Sequence, residues 1–238
     1  MRLSRLRKNV GMAAKLHNMA ADRRGQVVMV TLTYRTTEQW QPDHVKAYLQ
    51  AVRKWFARLT GRARHLAYVW VAELQERGAM HYHVVFWLPK GVTMPKADKR
   101  GWWPHGMTNT LRAKKPVAYV MKYATKFDSK SGLPKGARIY GVGGLDDGAR
   151  RVRRWLNWPA FVQARASVAD AFARAPGGGW TDLSTGEWFP SEWKPAALWR
   201  LGARFLERVH DHGRPVADVA GPYNWIHERG GVAAPVFA

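Results

Sequence analysis

Two histidines separated by a single residue lie at the start of an apolar stretch of the chain. His81 and His83 belong to the segment AMHYHVVFW, residues 79–87, which is rich in aromatic and β-branched residues and predicts a buried strand. Because alternate side chains of a strand project from one face, we expect the two imidazoles about 7 Å apart on the same side of a sheet. Imidazoles placed in this way can bind one metal ion.

A carboxylate on the preceding strand completes the predicted site. Residues 76–78, with the sequence ERG, predict a three-residue hairpin loop whose glycine adopts a left-handed conformation. This loop places Glu73 opposite His81 on the same face, whereas Glu76 is the alternative ligand if the loop has another register. Two imidazoles and a carboxylate leave coordination positions open, as in a catalytic metal site. The simpler alternative is that both histidines are structural and are satisfied by hydrogen bonds.

The other histidines give weaker signals. The segment His210-Asp211-His212 repeats the spacing, but it follows a predicted helix and precedes Gly213, so we interpret it as a solvated helix end. His105 lies in a predicted loop near the site. The remaining histidines are interpreted as surface or packing residues: His17, His44, His65 and His227.

Phenol and ammonium groups alternate along one face of a predicted helix. Tyr119, Lys122, Tyr123 and Lys126 follow the i, i+3, i+4, i+7 spacing of a single helix face. Forming a phenolate at neutral pH costs about 4 kcal/mol for a pKa near 10, and neighbouring lysines are expected to lower that pKa. A phenolate, a cation and a metal ion beside one phosphodiester can form a covalent nuclease. The simpler alternative is a basic, phosphate-binding face whose tyrosines only pack.

The charge of the chain indicates a polyanionic partner. Its 39 lysines and arginines against 17 acidic residues give a formal net charge of +22, which favours nucleic acid over an anionic membrane. The region 90–154 carries much of the excess, and Arg112, Lys114, Lys115 and Lys126 are its candidate DNA-binding residues. The chain lacks cysteine and any apolar run of about 18 residues, so we expect no disulfide, no membrane span and a reducing cytoplasm.

The elements that position these groups can be read from periodicity and turn residues. A helix is predicted between Asp43 as N-cap and Gly61 as stop, with an apolar stripe at Val45, Tyr48, Leu49, Val52, Phe56 and Leu59. Strands and a second helix are predicted at 27–34, 65–75, 80–88 and 116–127. We expect a loop-rich region at 90–115, a flexible break at 141–148, helices at 160–175 and 195–210, and a hairpin at 180–193 turning at 184–186.

Three of these segments, in this order, resemble motifs of the HUH endonucleases. They are VMVTLT at Val28–Thr33, the His81-Tyr82-His83 segment followed by VVF, and YVMKYATK at Tyr119–Lys126. The paired tyrosines resemble the rolling-circle replication initiators of phages and plasmids. The resemblance covers residues 27–127 and implies an α+β fold with a central antiparallel β-sheet flanked by helices.

The resemblance also implies an activity. The family nicks one strand at a replication origin with Mg²⁺ or Mn²⁺ at the histidines, keeps the 5′ phosphate on a tyrosine, and later rejoins the strand. Carried over, this makes His81, His83 and Glu73 metal ligands and Tyr119 the initiating nucleophile. Tyr123 would act at termination, Lys122 would orient the phosphate, and Lys126 would do so more weakly.

The predicted organisation is a basic N-terminal arm at 1–25, an HUH nuclease domain at 26–154 and a small Trp-rich accessory region at 155–238. No GxxxxGK[ST] segment occurs, so unwinding is expected to need a host helicase, and synthesis a host DNA polymerase, in a bacterial cytoplasm. The tryptophans of the accessory region could stack on single-stranded bases, although core packing is the simpler interpretation. Alternative functions are an HUH transposase or relaxase, a metal-dependent hydrolase that uses water, and a non-catalytic basic nucleic-acid-binding protein.

Overall fold

In the computed structural model, the chain divides into two compact units, Met1–Arg153 and Arg154–Ala238. The structure describes residues 2–61, 65–126, 132–176, 178–196, 205–208 and 236–237. The second HxH segment at 210–212 and His227 therefore lie outside the described residues.

The first unit contains a five-stranded sheet with the strand order β4-β1-β3-β2-β5, in which every neighbouring pair is antiparallel. Its elements, in chain order, are α1 (Arg2–Ala20), β1 (Gln26–Thr33), α2 (His44–Thr60), β2 (Ala67–Leu74), β3 (Met80–Leu88), β4 (Thr108–Arg112), α3 (Pro116–Thr125), β5 (Tyr140–Gly143) and the start of α4 (Asp147–Leu156). The predicted α+β fold with a central antiparallel sheet is confirmed.

Alternation along β3 divides the sheet into two packed faces. Tyr82, Val84 and Phe86 join the core beneath α2, whereas Val85 and Trp87 join the core beneath α1 and α3. His81 and His83 continue the second series, so the predicted chemical groups lie on the face that α1 and α3 cover. That face changes from apolar to polar toward the β2–β3 turn.

Helix α2 has the ends that the sequence predicts. Asp43 is its N-cap residue, and Gly61 ends it in a left-handed conformation with a φ of 67°, its N–H donating to the Ala57 carbonyl. The predicted stripe packs on the sheet except for Leu59, which is 59% exposed in the last turn. Trp55 occupies the core instead.

Two edge strands replace regions that we expected to be irregular. Strand β4 lies in the predicted loop-rich region, because backbone pairing with β1 orders a sequence that has no apolar alternation of its own. Strand β5 and the first turn of α4 lie in the predicted break at 141–148. A Cβ at Gly141 would overlap the Trp70 indole of β2, so a glycine-containing strand is what this edge accommodates.

The predicted basic arm is a helix, as expected, but it is not a free one. Leu6, Val10, Ala13 and Ala14 of α1 are buried against the sheet face that carries the histidines. The basic residues of α1 had concealed this apolar stripe. None of the helices in the described residues is long and apolar enough to cross a bilayer.

The second unit contains short elements and a small aromatic core. It comprises the end of α4, α5 (Ala160–Gln163), and the strands β6 (Phe172–Arg174), β7 (Trp180–Asp182), β8 (Trp188–Phe189), β9 (Trp193–Ala196), β10 (Phe205–Arg208) and β11 (Val236–Phe237). The strands form two sheets, ordered β6-β7-β8 and β11-β10-β9.

Both helices predicted in this unit are largely wrong, and the hairpin is confirmed. Helix α5 ends at Gln163, and Phe172 instead pairs with Asp182 between strands. Residues 205–208 form a strand rather than a helix. Trp158 and Phe161 lie in the core with partly buried Trp155 and Trp180, so packing explains these tryptophans, whereas Trp188 is 54% exposed.

A buried histidine makes the stability of the first unit depend on pH. His17, near the end of α1, is 4% exposed and lies 5.1 Å from the Trp87 ring, and burial lowers its pKa from 6.5 to about 4. The unfolded chain binds this proton below pH 6.5 and the folded chain only near pH 4. Stability is therefore full above pH 6.5 and falls as the pH drops toward 4, by up to about 3 kcal/mol.

We predict that His17→Gln reduces this loss, because glutamine does not titrate. Urea unfolding of the metal-free protein at pH 7 and pH 5 measures it, with His65→Gln, a substitution at an exposed histidine, as the control. An unchanged pH dependence in His17→Gln would contradict the assignment.

Candidate metal centre

The turn between β2 and β3 has the conformation that the sequence predicts. The Gln75 N–H donates to the Ala79 carbonyl at 2.9 Å, the Gly78 N–H donates to the Gln75 carbonyl at 2.8 Å, and Gly78 has a φ of 81°. Glu73 therefore pairs with His81, so the predicted register is confirmed. Arg77 fastens the turn to the end of β1 by donating to the Arg35 and Tyr34 carbonyls at 2.9 and 2.6 Å.

This register assembles a group of three metal-binding side chains. One ligand atom from each of Glu73, His81 and His83 lies within 4.8 Å of the others. His83 Nε2 donates to Glu73 Oε1 at 3.1 Å, and both residues are buried. Glu76, the alternative ligand, lies in the exposed turn.

The group fits a cation because its carboxylate is incompletely satisfied. Glu73 Oε2 is buried and has no hydrogen-bond partner among the described residues. A buried carboxylate oxygen without a partner is unfavourable, and a bound cation would remove that cost. Nitrogen and oxygen donors on rigid strands, with a proton-accepting carboxylate among them, suit a divalent ion.

The protonation states of two of these residues at neutral pH also suit metal binding. Burial opposes ionisation of Glu73, but its hydrogen bond from His83 and the charges of His83, Lys126 and His81 together lower its pKa below the ordinary value. Burial, and then the charge of His83, lower the pKa of His81 to about 4. A neutral imidazole and an ionised carboxylate are the forms that coordinate metals.

Two threonines of β1 contact the ligand histidines, and sequence reasoning assigned them no role. Thr31 Oγ1 lies 3.2 Å from His83 Nδ1, and Thr33 Oγ1 is hydrogen-bonded to His81 Nε2. A hydroxyl can donate or accept, so Thr31 can support either tautomer of His83. The signal was their spacing of two residues on a strand neighbouring β3, because pairing aligns Thr31 with His83 and Thr33 with His81.

Helix α3 places the second predicted group directly on this centre. The Tyr123 ring stacks on the His83 ring, with centroids 3.5 Å apart and planes 12° from parallel. Lys126 Nζ lies 3.7 Å from Glu73 Oε1 and 5.5 Å from the Tyr123 ring, and Lys122 Nζ lies 5.9 Å from that ring. Tyr119, one turn earlier, is 39% exposed.

The lysines do not lower the pKa of Tyr123, as we had expected them to. That pKa is raised, first by burial and then by the charges of Glu73 and Tyr119. The carboxylate of the metal centre thus opposes formation of a phenolate on Tyr123, and Lys126 does not outweigh this effect. Only a further cation at Glu73 would change the sign of this contribution.

The remaining predicted residues lie elsewhere. Arg112, Lys114 and Lys115 are exposed at the beginning of α3, about 15 Å from Lys126 at its end, given the rise of a ten-residue helix. His105, expected near the site, instead stacks on His44 of α2 at 3.6 Å and on Tyr34. It lies on the opposite sheet face, because Tyr34 belongs to the core beneath α2.

Fold and site together define an α+β protein with a His-His-Glu centre under a helix that carries tyrosines and lysines. Residues 27–128 match the family model described as Replication-associated protein ORF2. The match spans the chain from β1 to beyond α3 and so includes every residue of the centre. It confirms the resemblance to rolling-circle replication proteins over that region. No curated protein and no solved structure matches the chain.

We predict that Mn²⁺ binding depends on the three residues of the centre. Substitutions His81→Ala, His83→Ala and Glu73→Gln should each lower Mn²⁺ affinity at least about tenfold, because each removes one ligand. Titration calorimetry, or the loss of the free-ion paramagnetic resonance signal, measures the affinity.

Glu76→Gln and His105→Asn are matched controls, since both residues were candidates by sequence and both lie outside the centre. They should bind Mn²⁺ as the unsubstituted protein does. Equal affinity in all five variants would rule out a metal site at these residues.

Proposed function

We propose that this protein initiates rolling-circle DNA replication by nicking one strand of an origin with a tyrosine nucleophile. The observation that carries the proposal is the stack of Tyr123 on His83, which holds a helix with two tyrosines and two lysines against a candidate metal centre. The match of residues 27–128 to a replication-associated family supports the same conclusion.

In this proposal His81, His83 and Glu73 hold Mg²⁺ or Mn²⁺. Two imidazoles alone would favour zinc, whereas a carboxylate and a phosphate substrate favour the harder ions. The bound ion polarises the scissile phosphate. Thr31 and Thr33 keep the two imidazoles oriented through their hydrogen bonds.

The first transesterification uses the phenol oxygen of Tyr119. It attacks the phosphorus, forming a Tyr–O–P bond to the 5′ phosphate, while the bond from phosphorus to the 3′ oxygen breaks. The phenol proton leaves to solvent and the departing 3′ oxygen gains a proton, so the products are a 5′-phosphotyrosine and a free 3′-OH. Lys122 orients and neutralises the phosphate, and Lys126 contributes from its position beside Glu73.

Tyr123 acts in the second reaction, when the displaced strand is cut and rejoined. It accepts the newly cut 5′ phosphate, and the 3′-OH released by that cut attacks the first phosphotyrosine. One phosphoester forms for each that breaks, so rejoining needs no ATP. The partners are single-stranded or origin DNA, a host helicase and a DNA polymerase, in the cytoplasm of a bacterial host.

We predict a covalent adduct with labelled single-stranded origin DNA in the presence of Mn²⁺. On a denaturing gel, Tyr119→Phe should abolish the first adduct, whereas Tyr123→Phe should keep it and lose strand rejoining. Tyr140→Phe, which removes a phenol elsewhere in the first unit, is the matched control and should keep both reactions.

Each contrary result identifies a different alternative. An adduct that survives Tyr119→Phe and is lost in Tyr123→Phe would reverse the order of the tyrosines. Cleavage that survives the double variant would mean that water is the nucleophile. DNA binding with no cleavage, and with indifference to metal, would mean a non-catalytic binding protein.

A further inference from the structure

An arginine-lined cleft lies at the β5 edge of the five-stranded sheet. It has a volume of about 640 Å³ and is lined by Arg5 of α1, Arg138, Tyr140 of β5 and Arg153 of α4. Strand β5 is the last strand of its sheet, so the cleft is open to solvent on the side away from β2. None of these four residues belongs to the metal centre.

The cleft is a short distance from the candidate metal centre. Val71 of β2 pairs with His83 on one side and with Tyr140 on the other, which puts the Tyr140 backbone two strand spacings, about 10 Å, from His83. On the helical side, Arg7 Nη2 donates to the Thr125 carbonyl at 3.3 Å, joining the first turns of α1 to the last turn of α3.

The charges that line the cleft are available to an anion. Arg5 and Arg138 are exposed, and neither has a carboxylate within 4.0 Å in the described part of the chain. Arg153 is partly buried, and its Nη2 donates to Asn9 Oδ1 at 3.1 Å. Guanidinium groups bind phosphate oxygens in pairs, so this lining favours a phosphate-bearing ligand.

An aromatic ring among the arginines narrows the ligand further. Tyr140 is half-buried, with one side packed against the core beneath α1 and α3. A tyrosine ring in a basic groove stacks on unpaired bases, whereas the bases of a duplex already stack on each other. A second copy of this chain is disfavoured as the occupant, because each copy carries a net charge of +22.

We propose that this cleft binds a single-stranded segment of the DNA strand whose scissile phosphate lies at the metal centre. A base stacks on Tyr140, and the flanking phosphates contact Arg5 and Arg138. About 10 Å corresponds to about three stacked nucleotides at 3.4 Å each, so the bound base lies within a few positions of the cut. The identity of the strand rests on the proposed function, but the binding itself requires no nicking.

The test is the affinity of the full-length, metal-free protein for a fluorescent 30-nucleotide single strand, measured by anisotropy in EDTA over a range of salt. Tyr140→Ala should weaken binding about tenfold, and Tyr140→Phe should bind as the unsubstituted protein does, because stacking needs the ring and not the hydroxyl. Arg5→Ala and Arg138→Ala should weaken binding and each lower the salt slope by about 0.7.

Arg58→Ala is the matched control, since Arg58 is an exposed arginine in the last turn of α2, on the other face of the sheet. It should bind single-stranded DNA normally. Unchanged Mn²⁺ affinity and thermal unfolding in all five variants show that the fold and the metal centre are intact.

Three results would overturn the proposal. Equal losses for Tyr140→Ala and Tyr140→Phe would exclude stacking, and equal losses for a 30-base-pair duplex would exclude recognition of single strands. Displacement of DNA by polyglutamate at equal charge concentration would indicate a site for acidic peptides. The proposed function is tested separately, because the cleft variants are assayed without metal and without cleavage.

Discussion

Antiparallel pairing of β2 with β3 is the constraint on which the candidate centre depends. The turn at 76–78 fixes this pairing, and Arg77 holds the turn against the end of β1. A register shift of one residue would move Glu73 to the opposite sheet face, beneath α2, and leave two imidazoles without a carboxylate. Strand β1 depends on the same frame, since its threonines reach the histidines only if β1 pairs with β3 in the observed register.

The centre places polar groups on a largely apolar face, and its neighbours compensate for their burial. His83 donates to Glu73, the β1 hydroxyls contact both histidines, and Lys126 lies beside the carboxylate. One oxygen of Glu73 remains unsatisfied within the described residues, and the charge of Glu73 raises the pKa of Tyr123. Both effects have the same physical remedy, a cation bound at the carboxylate, so metal affinity and nucleophile activation are coupled through Glu73.

Helix α1 connects two roles of the first unit. Its apolar stripe forms part of the core beneath the centre, while Arg5 lines the cleft at the sheet edge and Arg7 contacts the end of α3. The positive charge that the composition shows is therefore distributed with respect to the sheet. Lys126 lies at the centre, Arg138 near it, and the basic residues at the beginning of α3 about a helix length away.

The sequence by itself determined the groups whose positions follow from local periodicity. Strand alternation and a short hairpin loop predicted that His81, His83 and Glu73 share a face, and helical spacing predicted the Tyr119–Lys126 face. Only the tertiary structure decided how these faces meet, since the stack of Tyr123 on His83, the contacts of Thr31 and the placement of His105 on the opposite face join residues far apart in the chain. Strands β4 and β5 were missed for the same reason, because edge strands take their order from a neighbour's backbone and not from their own side-chain pattern.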